Sequence, residues 1–202
     1  MSEKKYTIIY ADPPWKYVQD KKGKKFGGVT SSYYQTLNTE QICRYDIKNI
    51  VNNPCILFIW ATFPNIKEAL KVIECWGFHY KTVGFVWIKK NIISDSLFWG
   101  TGFYTRSNCE ICLIGVTKNA KLKDLIKSHA VHQIIHTKIE KHSKKPDEVR
   151  DKIIKLCGDV SRIELFARKK IKGWDVWGDE VKSDIKISLK NDNPPLQSRI
   201  RD

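Results

Sequence analysis

Apolar and aromatic residues gather into five runs of strand length, at positions 7–11, 55–61, 82–88, 110–116 and 162–167. Most are apolar at consecutive rather than alternate positions, the pattern of strands covered on both faces. Between the second and third runs the period changes. Ile66, Ala69, Leu70 and Ile73 fall at helical spacing, Pro64 opens the segment and Gly77 ends it, which predicts an amphipathic helix over 64–76. A second helix is expected from Thr39, where Asn38 and Gln41 stand at capping-box spacing. A third is expected over 146–156, with Asp147 and Glu148 in its first turn and Gly158 past its end. Strands alternating with helices predict an α/β chain: a doubly wound, mainly parallel sheet with helices on both faces, whose ligands bind at the carboxyl ends of the strands.

Composition narrows this picture. The 202 residues suit one domain, expected over 1–181 with a polar tail over 182–202. With 42% apolar residues and seven Trp, the chain buries enough surface to fold, which excludes a disordered or collagen-like polymer. No apolar stretch approaches the ~18 residues needed to cross a bilayer, and the start has no apolar leader, so no membrane partner and a cytoplasmic location are expected. The six cysteines stand mostly in apolar segments and read as reduced thiols. Cys109 and Cys112 form a CxxC, but no second ligand pair accompanies them and three steps along a strand send two side chains to opposite faces, so no metal site is expected. Neither GxGxxG nor a Walker motif occurs, which removes the usual support for dinucleotide or ATP chemistry.

Charge points to a partner. Lys plus Arg number 36 against 22 Asp plus Glu, a formal net charge of +14. Such an excess favours a polyanion, most simply nucleic acid; a solvated lysine surface is the plain alternative. The basic residues cluster at 16–25, 138–145 and 168–172, in stretches that read as loops or helix entries. The Lys- and Gly-rich stretch 20–30 reads as a loop, and 16–30 is the segment expected to order on nucleic acid.

The most specific feature is Asp12-Pro13-Pro14-Trp15, directly after the first apolar run. Two successive prolines stiffen the loop and donate no N–H, so its carbonyls are expected to face outward as acceptors. The Asp12 carboxylate and the Pro13 carbonyl can take the two hydrogens of a ring-attached amine, and Trp15 can offer its face to the ring. Such an amine is a poor nucleophile because its lone pair is delocalised. Two acceptors favour a pyramidal nitrogen with a localised pair, aligned for attack on an activated methyl carbon. The reading expects Asp12 to face a cavity and not to be held in an internal ion pair. A Pro-Pro turn capping a strand, with Trp15 as packing, is the structural alternative.

The chain resembles a known family at this point. Asp12-Pro13-Pro14-Trp15, Tyr34-Gln35-Thr36-Leu37, Leu57-Phe58-Ile59-Trp60-Ala61-Thr62, Cys112-Leu113-Ile114-Gly115-Val116, His142-Ser143-Lys144-Lys145-Pro146-Asp147-Glu148 and Ile163-Glu164-Leu165-Phe166-Ala167-Arg168 follow the order found in adenine-N6 methyltransferases of the mRNA-adenosine-methyltransferase type. The resemblance spans 6–180 and implies a Rossmann-like fold, S-adenosylmethionine as methyl donor and an adenine in nucleic acid as acceptor. The short chain is similar to compact bacterial and phage members, for which DNA is the expected substrate.

By that resemblance, Asp12, Pro13, Pro14 and Trp15 form the catalytic loop, with Asp12 also touching the cofactor. Tyr34 borders the target base, and Glu164, Arg168, Asp179 and Glu180 take cofactor positions, the last two as acceptors for ribose hydroxyls. Lys16, Lys144 and Lys145 are candidate phosphate contacts, whereas His142 is expected to be structural or partly exposed rather than catalytic. A lysine beside the later strand of the mRNA enzyme aligns with Cys109, which makes Arg106 the candidate for the methionine carboxylate. Only five residues precede Tyr6, so the acid that reads the cofactor adenine in that enzyme has no counterpart and backbone or another residue is expected to serve. Adenine in RNA, or the cytosine amino group, fits the same two-acceptor chemistry; a non-catalytic nucleic-acid-binding subunit is expected to carry a damaged loop.

Overall fold

The first apolar run forms β1 (Tyr6–Ala11), which is bonded on both sides to parallel strands, β2 (Val51–Ala61) and β6 (Arg162–Leu165). This is a computed structural model, and it describes residues 4–16, 36–102, 104–140 and 144–190. Around that centre lie β3 (Phe78–Lys90), β4 (Cys109–Thr117), β5 (Ile134–Lys138) and β7 (Asp175–Trp177), in the order β5-β3-β4-β2-β1-β6-β7. Only β4 runs against its neighbours among these strands, because β3 and β4 form a hairpin and every other pairing except β2 with β4 is parallel. The sheet is thus mainly parallel, as the alternation of elements predicts.

Helices cover both faces. Helices α1 (Thr39–Arg44) and α2 (Ile66–Cys75) place Ile42, Ala69, Val72 and Ile73 against Ile9, Ala11, Leu57 and Ile59. On the other face, α3 (Leu122–Leu125) and α4 (Glu148–Cys157) place Leu125, Val149 and Ile153 against Ile8, Tyr10, Phe58 and Trp60. Strand alternation explains the partition: Ile8 and Tyr10 point one way, Ile9 and Ala11 the other. This is a Rossmann-like, doubly wound α/β fold.

The predicted signals act locally as expected. Asn38 Oδ1 accepts from the Gln41 N–H and Gln41 Oε1 from the Asn38 N–H, both at 2.8 Å, closing the capping box of α1. Gly158 ends α4 with φ +86°, a conformation glycine adopts without Cβ strain. The helix expected over 64–76 begins with a short 3-10 turn, Phe63–Asn65, before α2.

Three expectations need correction. The run over 162–167 stops as a strand at Leu165, because Phe166 takes a left-handed backbone (φ 58°), which the ring contacts with Trp76, Tyr45 and Trp177 hold in place. Strands β5 and β7 were not anticipated: β5 is a short edge strand with polar positions, and β7 has three residues. The segment from 182 is not a free tail as far as Lys190. Asp184 exchanges bonds with the Val176 backbone, Ile185 and Ile187 pack on the core, and Leu189 bridges to Tyr45. Residues 191–202 lie outside the described residues.

Candidate active site

The parallel strands all present their carboxyl ends on one edge, and the antiparallel β4 begins there, so Asp12, Lys89, Glu110 and Arg168 share that edge. Asp12 leaves β1 on the α4 face of the sheet and the chain then turns sharply. Trp15 N–H donates to the Pro13 carbonyl at 2.8 Å, Leu37 N–H to the Pro14 carbonyl at 2.8 Å and Lys16 N–H to the Leu37 carbonyl at 3.0 Å, which ties the elbow to the entry of α1. The outward-facing carbonyls expected of this loop are therefore each engaged once, and each keeps a second lone pair. Trp15 corrects another expectation. Its side chain is 8% exposed and packs in the α1/α2 core, where its indole N–H donates to the Trp60 carbonyl at 2.9 Å. It anchors the elbow and does not offer an open stacking face.

Trp60 joins the elbow to the charges. Its own indole N–H donates to Tyr10 Oη at 2.7 Å, and the Lys145 ammonium lies 5.9 Å from its ring centroid. Lys145 lies between two carboxylates with its side chain 10% exposed, 2.9 Å from Asp12 Oδ1 and 3.2 Å from Glu110 Oε2, and Lys89 holds Glu110 Oε1 at 2.5 Å. Asp12 is thus in an internal ion pair, contrary to the expectation, although its side chain remains 20% exposed. Burial opposes the Lys145 charge, but Asp12 and Glu110 outweigh it and hold the ammonium above its ordinary range. Burial likewise opposes the Glu110 charge, and Lys145 with Lys89 reverses the balance and lowers its pKa.

A second cluster adjoins the first. Arg150 of α4 binds Glu164 through two bonds of 2.7 Å and Asp147 through one of 2.8 Å, with its guanidinium carbon 5.6 Å from the Tyr10 ring centroid. Burial raises the Glu164 pKa against the pull of Arg150, and the Asp12 charge raises it further. Both Glu164 oxygens accept from Arg150, so this residue fixes α4 against β6.

The remaining candidates separate. Lys145 is paired with Asp12 and Glu110 and Lys144 is bonded to Glu140 and Asp147, so neither is the open phosphate contact expected. Arg106 is exposed with its guanidinium carbon 5.2 Å from the Trp99 ring centroid, away from Asp12's ion pairs; the cation beside Asp12 is Lys145. Arg168 and Glu180 meet at 3.6 Å and line a cleft of about 530 Å³ with Lys170 and Ser183, while Asp179 is exposed near Tyr45. Lys16 is exposed beside the elbow. Tyr34 and His142, and nearly all of 16–30, lie outside the described residues. Sequence reasoning missed Glu110, Lys89 and Arg150. An acid within an apolar strand, as at Glu110 and Glu164, requires a buried cation, and that signal was available.

A doubly wound domain with a charged, stiffened elbow at the carboxyl end of an interior parallel strand is of the class that holds a small cofactor at that edge. Residues 6–180 match the MT-A70 family. The chain is 36% identical to the Type II methyltransferase M.MunI of a Mycoplasma species, over 94% of its own length and 83% of that protein's. It is 26% identical to human METTL3, an N(6)-adenosine-methyltransferase catalytic subunit, over 81% of its length, and 24% identical to the N(6)-adenosine-methyltransferase MT-A70-like of Arabidopsis thaliana over 87%. It spans 26% and 24% of those two proteins. The chain belongs to the MT-A70 family and is a methyltransferase.

Proposed function

We propose that this chain transfers the methyl group of S-adenosylmethionine to the exocyclic N6 amino group of adenine in DNA. The observation that carries the reading is the stiff elbow at the carboxyl end of β1, with Asp12 partly open to solvent and bonded to Lys145 at its base. The donor set suits the cofactor: a carboxylate beside an ammonium complements the ammonium and carboxylate of a methionine. S-adenosylmethionine would supply a methyl group on a sulfonium, a leaving group that needs no protonation.

The chain's own residues do the rest. Asp12 accepts one hydrogen of the amine and the second lone pair of the Pro13 carbonyl accepts the other, which directs the nitrogen lone pair outward; the nitrogen becomes acidic as it gains the methyl group, and Asp12 takes the proton it loses. Lys145 fixes the carboxylate so that no reorganisation is needed as charge develops. Pro14 and Trp15 are positioning residues, locked to Leu37 and Trp60. Lys145 takes the methionine carboxylate in place of Arg106, and Arg168, Asp179 and Glu180 form the rim for the ribose. Tyr34 borders the base.

DNA is preferred over RNA because the chain spans most of the bacterial Type II methyltransferase and about a quarter of the adenosine methyltransferases. The proposed location is the cytoplasm, in keeping with six cysteines that form no disulfide among the described residues. Among the described residues no helix is long and apolar enough to cross a membrane.

Purified chain, radiolabelled cofactor and either DNA or RNA, followed by digestion to nucleosides, tests the proposal. The expected label is N6-methyldeoxyadenosine, and Asp12→Ala loses on the order of 10²-fold or more in rate while still unfolding cooperatively in urea, at a midpoint lowered by the loss of its pair with Lys145. Label on cytosine or only in RNA overturns the acceptor. Wild-type rates in Asp12→Ala overturn the mechanism.

A further inference from the structure

The hairpin between β3 and β4 takes no part in the chemistry above, yet its root is wired to the elbow. Lys89 at the end of β3 bonds Glu110 at the start of β4, and Glu110 reaches Asp12 through Lys145. Beyond that root the loop displays apolar and aromatic side chains to solvent: Ile93 is 98% exposed, Trp99 72%, and Tyr104 is fully exposed. Such a concentration at one end of a soluble domain marks a binding surface.

The arm is preformed. Phe98 N–H donates to the Lys89 carbonyl at 2.8 Å, Asn91 N–H to the Ser96 carbonyl at 3.0 Å, and the Asn91 amide to Ser96 Oγ at 2.8 Å. A Cβ on Gly100 would run into the Ser107 carbonyl oxygen, and one on Gly102 into that of Thr105. Only glycine permits these two backbone approaches, which fold the tip on itself around the exposed Tyr104.

Charge identifies the occupant. Beyond the paired Lys89, residues 90–108 contain two cations, Lys90 and Arg106, against one acid, Asp95, so the arm itself carries a net charge of +1. Lys90 bonds that acid at 2.7 Å, and Lys138 and His136 also act on it. Arg106 stands over the Trp99 ring and is exposed. A second copy of a chain with net charge +14 would bring like charges to this face, whereas a phosphate backbone complements it.

We propose that this arm is a stacking platform for DNA: Trp99 and Tyr104 stack on unpaired bases of the strand that carries the target adenine, and Arg106 contacts an adjacent phosphate. The inference rests on the nucleic-acid reading above and adds a substrate-binding element to it.

Anisotropy titration of the full chain with a labelled oligonucleotide, single-stranded and duplex, tests this without any methyl transfer. Trp99→Ala/Tyr104→Ala is expected to weaken binding on the order of 10-fold or more, with the single strand affected at least as strongly, and to leave the urea midpoint unchanged. Arg106→Gln is expected to reduce the slope of log K against log salt by about one. Binding of both forms at wild-type strength by the double variant overturns the inference. So does a wild-type dimer that the double variant dissociates while each protomer keeps its DNA affinity, since the arm is then a contact between copies. A wild type that binds through the arm yet methylates nothing keeps the inference and removes the proposed function. A wild type that methylates DNA with an arm that can be cut back at no cost does the reverse. A wild type that binds no DNA overturns both.

Discussion

Lys145 sets the electrostatics of the elbow, and its position shows what residue-level reading can and cannot give. From sequence it is one of two lysines before a helix start, equally suited to solvent or to phosphate. In the fold it is turned inward, between Asp12 and Glu110, because the chain entering α4 passes over the carboxyl end of β1 and the start of β4. Replacing it with Met leaves two carboxylates facing each other in a confined space. Lys145→Met is therefore expected to cost about 3–5 kcal/mol of stability, the range for breaking a buried ion pair from one side. Adding Asp12→Asn removes the carboxylate that has lost its cation and is expected to return part of that loss without restoring methyl transfer. Urea unfolding and a transfer assay on both variants check this. A single variant that unfolds like the wild type shows that the network contributes nothing to the fold. The acids were legible where the cation was not: a Glu within the apolar run of β4 or β6 signals a buried partner, but the partner's identity depends on helix placement, which no local pattern specifies.

At the scale of elements, the sheet centre was readable and its edges were not. Strands buried on both faces are apolar at nearly every position, so β1, β2 and β4 stand out, whereas β5 and β7 at the ends of the sheet are short and partly polar. Position 182 looked like the start of a tail because charged residues outnumber apolar ones there, but Ile185 and Ile187 at alternate positions give the segment a face to bury. Its end is held by Lys190, whose ammonium donates to the Cys43 carbonyl at 3.0 Å and the Cys75 carbonyl at 2.8 Å. These carbonyls belong to the last turns of α1 and α2, so one cation satisfies acceptors at the negative ends of two helix dipoles. Lys190→Met is expected to lower stability by about 1–3 kcal/mol, from two charge-assisted bonds on a partly buried group. Thermal unfolding measures it, and a shift no larger than that of an exposed lysine variant shows that the strap does not clamp the helices. The elbow itself was legible in kind, since Asp-Pro-Pro-Trp after a buried strand announces a stiff ligand loop. The inward role of Trp15 was not, because an aromatic residue in a loop has the same sequence signature whether it packs or stacks.

The net charge of +14 belongs to the molecule as a whole, and the fold divides it into two populations. Lys89, Lys145 and Arg150 are paired with Glu110, Asp12 and Glu164, their side chains no more than 16% exposed, and serve the site and the α4 packing rather than a phosphate backbone. Exposed cations such as Lys16, one residue past the elbow, remain for the substrate. Each phosphate contact releases counterions and adds about −0.9 to the slope of log K against log salt on duplex DNA. The two populations therefore separate experimentally. Lys16→Gln is expected to weaken DNA binding evenly across sequences and to reduce the slope by about one, because it removes a screened, sequence-independent attraction. Lys89→Met changes a partner of Glu110, and its binding is expected to keep the wild-type slope even where transfer falls. Titrations at several salt concentrations read both variants on one plot. Parallel lines for wild type and Lys16→Gln place the DNA backbone away from the elbow, in conflict with a target adenine held at Asp12. A reduced slope for Lys89→Met shows that the buried network faces the phosphates after all.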